Sequence, residues 1–152
     1  MDFVKKNWAN ILLSLLTLAG AIFAIVHLVA LSNVLGTGTN SFRMMSAAIG
    51  FLIFFAGLYV YFMCKMFPVS KKVISAILML TGLVASIFLI IYLAEIINVT
   101  NAWATGMRHE RNAQIMSALI YLFAFGLLPL VAGLKMICVA YCKEEDRKAG
   151  KR

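Results

Sequence analysis

The stretch VISAILMLTGLVASIFLIIYLAEII, Val73–Ile97, decides the fold. It runs for 25 residues with a single charged side chain, Glu95, close to its end. A helix of roughly 20 apolar residues crosses a bilayer core about 30 Å thick. The run is too long for a buried strand and too apolar for a helix with one wetted face. It predicts a transmembrane helix.

Three further runs meet the same test, at about Trp8–Leu35, Met44–Phe67 and Ala113–Cys142. The chain is 63% hydrophobic over 152 residues, and its mean hydropathy is +0.95. Soluble domains use roughly 45–50% apolar residues, so the lipid bilayer is the expected solvent. The expected fold is all-α. A single domain over residues 1–152 forms a compact antiparallel bundle of four transmembrane helices, about 8–35, 44–67, 73–97 and 113–142, with short loops. Lys5 and Lys6 precede the first run as they would in a signal peptide. The run is longer than a signal core of about 7–15 residues, and no clear small-residue cleavage site ends it. It is expected to be retained.

The net charge of +8 is unevenly placed. On one side of a four-span hairpin lie Lys5, Lys6, Lys65, Lys71, Lys72, Lys135, Lys143, Arg147, Lys148, Lys151 and Arg152. Arg43, Arg108 and Arg111 lie on the other. Cytoplasmic loops of membrane proteins carry the excess of Lys and Arg, which puts both termini in the cytoplasm. These charges are expected to meet anionic lipid headgroups there. They are not interleaved with aromatics on a surface outside the membrane, so nucleic acid is not an expected partner. Cys64, Cys138 and Cys142 fall near the same end. That compartment is reducing, so disulfides are not expected, whereas acylation of juxtamembrane cysteines is compatible with the placement.

The connections are short. GTGTNSFR (Gly36–Arg43) reads as a tight outer turn between the first two helices. In FPVSKK (Phe67–Lys72), Pro68 ends the second helix and Ser70 caps the third. The longest connection runs from about Asn98 to Asn112. The charged tail, 143–152, is expected to fray into cytoplasmic water.

Lipid tails are as apolar as leucine, so membrane helices associate largely through small residues that let backbones approach. Ser14, Thr17, Gly20 and Ala24 in the first helix, Gly50 and Gly57 in the second, Gly82 and Ser86 in the third, and Gly133 in the fourth form such stripes. They are the expected packing seams. Pro129 removes a hydrogen bond to the carbonyl of Phe125. With Gly126 it marks a hinge or a static bend in the fourth helix.

Ionisable groups within membrane helices are costly and therefore functional candidates. His27 and Glu95 sit at comparable depth near the outer ends of their helices. A contact between them would favour the charged imidazole and make a pH-sensitive pair. The competing reading leaves both near headgroups and water. Arg43, Arg108, His109, Glu110 and Arg111 form a mixed-charge outer surface suited to docking or to a pore mouth. Glu110 is placed to favour the start of the fourth helix through the helix dipole. Asn98-Val99-Thr100 is formally a glycosylation sequon on the outer side.

No catalytic motif, phosphate loop or metal-ligand set is present in the sequence, so no enzyme, metal or cofactor is expected. The favoured expectation is a non-catalytic membrane subunit. It would pack against itself or partner membrane proteins to anchor, stabilise or regulate a complex. The alternative is a homo-oligomeric channel with a hydrophobic gate. A small-molecule transporter ranks third, because only Pro129 hints at the broken helices such proteins use.

Overall fold

A computed structural model describes residues 2–101 and 108–150 of the chain. The elements are α1 (Asp2–Leu35), α2 (Thr39–Met66), α3 (Lys71–Asn101), α4 (Arg108–Tyr121), a π-helical segment (Leu122–Leu127) and α5 (Leu128–Ala149). The last three run on as one helix, the fourth span. All four spans are long and apolar enough to cross a membrane. The protein is an all-α bundle.

The turn between α1 and α2 is tighter than its sequence suggests. Gly36 takes φ +74°, and its N–H donates to the Ser32 carbonyl at 3.0 Å. This is the left-handed C-terminal cap that glycine adopts without a steric penalty. Ser41 Oγ donates to the Leu35 carbonyl at 2.8 Å, so the end of α1 is satisfied by the start of α2. Thr39–Arg43 is therefore helix and not loop. At the other end, Phe67 is extended at φ −105° and ψ 160°, as the residue before a proline is pushed to be. Ser70 Oγ then accepts from the Val73 N–H at 3.3 Å and caps α3.

The helices run antiparallel in a regular register. A β-carbon placed on Gly82 would lie 2.7 Å from Leu130 Cα, and one on Gly133 would lie 2.7 Å from Met79 Cα. One on Gly126 would lie 3.0 Å from Ser86 Cα. Only glycine allows this approach, and it closes α3 against the fourth span backbone to backbone. Gly57 faces Thr81 and Gly50 faces Leu89 across the α2–α3 seam. On α1, Ser14, Thr17, Ala21 and Ala24 form one buried stripe, with Gly20 against the Phe55 ring.

The bundle is centred on α3, which packs against both α2 and the fourth span. Among the described residues, α1 packs on α2 alone. The buried hydroxyls of Ser14, Thr17, Ser46, Ser75, Thr81 and Thr100 each donate to a carbonyl three or four residues back in their own helix. That removes the cost of an unpaired polar group in a lipid-solvated core.

The expectation of a fraying tail needs correction. The tail does not fray at Lys143, because α5 continues as helix to Ala149. Glu144 pairs with Lys72 at the start of α3, and Lys148 comes within 3.7 Å of the same carboxylate one turn on. These contacts hold the last turns in place.

Candidate functional site

At the end of the bundle away from the termini, the structure separates the residues that the sequence pairs. His27 lies on the exposed side of α1, its ring parallel to Phe23 with centroids 6.3 Å apart. Glu95 is buried at 8% exposure. Its Oε2 accepts from Arg43 Nη1 at 3.5 Å. The expected His27–Glu95 pair is thus replaced by Arg43–Glu95. The reason is topological: α2 stands between α1 and α3, so His27 on α1 does not reach Glu95, whereas Arg43 on α2 does. In the sequence Arg43 reads as part of a loop. Its place in the second turn of α2 is what aims it at α3.

The pair is lopsided, with the Arg43 side chain 52% exposed and that of Glu95 11% exposed. Truncating the arginine would leave a buried carboxylate alone, whereas neutralising the glutamate would leave a cation that water can reach. Breaking a fully buried pair costs about 3–5 kcal/mol, and half-exposed pairs are worth far less. Arg43→Ala is therefore expected to lower stability by about 1–2 kcal/mol. Glu95→Gln should cost clearly less. Thermal unfolding of the two variants in one detergent checks the order, and equal losses would mean that Glu95 reaches water without Arg43.

Further along α3, Arg111 Nη2 donates to Asn101 Oδ1 at 2.6 Å and ties the end of α3 to the start of α4. Glu110 sits exposed in the first turn of α4, where a carboxylate complements the helix dipole. The side chains of Arg108 and His109 lie outside the described residues, as do 102–107. Asn98 of the sequon is exposed, while Thr100 is buried and donates to the Ile96 carbonyl at 2.7 Å.

In the middle of the fourth span, Gly126 belongs to the π-helical segment Leu122–Leu127. The Leu128 N–H donates to the Phe123 carbonyl, five residues back. An α-helix would have used the Ala124 carbonyl. Pro129 has no N–H for Phe125. The wide turn absorbs the missing donor, and such π-bulges are rare and frequent at functional sites. Phe125, inside it, meets Phe51 and Phe54 of α2 edge to face at 4.9 and 5.0 Å. Facing Gly126 across the seam, Ser86 Oγ is buried and has no hydrogen-bond partner among the described residues. Pro129 was the sequence signal for this feature, but a proline alone does not distinguish a kink from a π turn.

At the end that carries both termini, Glu144 joins Lys72 and Lys148, and Lys72 Nζ lies 4.5 Å above the Tyr141 ring. Lys71, Lys143 and Arg147 have no acidic partner among the described residues. Cys64 is half-buried, and Cys138 and Cys142 are exposed; all are free thiols. Among the described residues no three His, Cys, Asp or Glu side chains cluster as a metal site would need.

Fold and composition define a multi-pass membrane protein. No family model, curated protein or solved structure matches the chain.

Proposed function

We propose that the chain is a small non-catalytic membrane subunit that anchors, stabilises or regulates a larger membrane complex. The observation that carries this reading is the closed interior. Glycines bring α3 into backbone contact with the fourth span, and nearly every buried hydroxyl is engaged within its own helix. What the chain offers to others is its surface, above all α1, which rests on one neighbour and leaves its remaining faces open. A membrane-protein partner or a second copy would pack there. The test is the mass of the full-length protein extracted from its native membrane with its lipid shell intact. Fixed stoichiometry with another membrane protein supports the reading. A lone monomer overturns it.

The second reading, a homo-oligomeric channel with a hydrophobic gate, draws on the π segment. A wide turn beside a proline is a place where a helix can change shape. A defined homo-oligomer that conducts in planar bilayers would select it.

The orientation proposed is cytoplasmic at both termini, on the weight of eleven basic residues against three. In a variant with the native cysteines replaced, Thr39→Cys should react with an impermeant thiol reagent added outside intact cells. Ser70→Cys should react only after permeabilisation. The reverse pattern would invert the topology.

A further inference from the structure

The antiparallel register lays the first turn of α3 against the last turns of α5. Between them lies a cleft of about 640 Å³. Its charged lining is Lys71, Lys72, Lys143, Arg147 and Lys148 against the single acid Glu144. On α5 these residues recur at spacings of three and four, which place them on one helical face. Glu145 and Asp146, one and two residues beyond Glu144, do not line the cleft. Five cations and one carboxylate leave four positive charges in excess. The carboxylate is already shared between Lys72 and Lys148. Such a concentration of one sign costs self-repulsion and attracts a polyvalent anion.

The cleft continues toward the membrane. Lys71, Ala140 and Lys143 also line a smaller compartment of about 240 Å³, whose deeper wall includes Lys135, Met136 and Val139. Lys135 in turn closes one end of an open groove of about 760 Å³ whose lining is one face of the fourth span alone, from Ile120. Apart from Lys135, every residue lining that groove is apolar. At about 1.5 Å rise per residue, Ile120 to Lys135 covers about 22 Å, more than the roughly 15 Å of hydrocarbon in one leaflet. A multiply charged anion at one end and an acyl chain along the other belong to a single kind of molecule.

We propose that the α3–α5 cleft binds the phosphate headgroup of a multiply charged acidic phospholipid, with an acyl chain of that lipid in the fourth-span groove. The geometry goes beyond a general attraction of surface lysines to anionic lipid, because it joins named cations to an apolar track on the same helix. It rests on the membrane-spanning fold and not on the subunit reading, which the mass measurement tests separately.

The experiment measures lipid binding to the full-length protein in phosphatidylcholine nanodiscs. The probes are cardiolipin and phosphatidylinositol bisphosphate, each carrying two or more negative charges, singly charged phosphatidylglycerol, and soluble pyrophosphate. The polyanionic lipids should bind well above phosphatidylglycerol, and pyrophosphate weakly. A basic residue near a charged lipid surface contributes on the order of 1 kcal/mol. Replacing Lys71, Lys143 and Arg147 with Gln should therefore weaken polyanionic-lipid binding by roughly 100-fold. Lys5→Gln with Lys6→Gln, on the exposed start of α1, should leave it unchanged. Glu144→Gln should tighten it by about 5-fold, a gain that a misfolded protein would not show. Ala124→Phe with Ala132→Phe, which fills the groove, should weaken lipid binding and spare pyrophosphate.

Equal losses from the cleft and α1 variants would reduce the site to non-specific anchoring and overturn the proposal. So would unchanged or weaker binding by Glu144→Gln. Pyrophosphate binding as tight as the lipid's, with no effect of filling the groove, would make this a soluble-anion site and overturn the assignment of a lipid.

Discussion

Gly82→Leu should prevent the α3–fourth-span seam from closing, and the protein should be recovered at a small fraction of its normal yield. A β-carbon at Gly82 would already fall 2.7 Å from Leu130 Cα, which is backbone and cannot swing aside. Overpacking that side chains can absorb costs about 1–3 kcal/mol. Where the obstacle is backbone, two whole helices must separate, and the loss should exceed that range. Gly133→Leu, against Met79 Cα, should behave the same way. Gly57→Leu meets Thr81, whose Cβ at 2.7 Å is fixed to the backbone, so it should reach the top of that range or exceed it. Leu58→Ala, which adds nothing to a seam, should be the mildest of the set. Yield and thermal unfolding in a single detergent give the order. If Gly82→Leu proved as mild as Leu58→Ala, the close approach of these helices would be wrong.

The second large effect concerns chain length within the fourth span. A π turn is an α-helix carrying one extra residue, so removing a residue there can restore α-helical geometry. Phe123 is the natural choice, because its side chain is 61% exposed. Deleting Phe123 together with Pro129→Ala should give a folded protein in which Gly133 still meets Met79. Deleting Val131, in regular helix, with the same substitution should not. Each residue of an α-helix turns the chain by about 100°, so that deletion swings every later residue away from α3. The expected contrast is between a protein that survives size-exclusion in detergent and one that aggregates. Equal survival of the two deletions would mean that the π segment is not a one-residue insertion.

These expectations depend on features of unequal visibility in the sequence. The spans were legible because a membrane's demand on a helix is one of length and apolarity, and both are read by counting. Ser70 and Pro68 were legible because capping and helix termination are local. Gly36–Arg43 reads as a turn, yet one glycine at positive φ and one serine back to Leu35 are enough, and the helix resumes at Thr39. The charged tail reads as fraying because its partner, Lys72, lies far away in the chain.

The Glu95 site shows the limit most clearly. A lone carboxylate near the end of Val73–Ile97 announces by itself that a partner is needed, since an unpaired charge in that setting is expensive. Depth along the helix then points to His27, whereas Arg43 reads as loop. The choice between them depends on which helix lies beside α3, and that is set by where the glycines allow backbones to touch. Composition and hydrophobic length were sufficient for the number of spans, their approximate limits and the gathering of basic charge at one end. The neighbour order of the helices, the π turn beside Pro129 and the meeting of Lys71 with Lys143 and Arg147 came only with the tertiary structure. The first group are properties of single segments in a solvent. The second are contacts between segments distant in the chain, and close packing alone selects among the arrangements that lipid would otherwise tolerate equally.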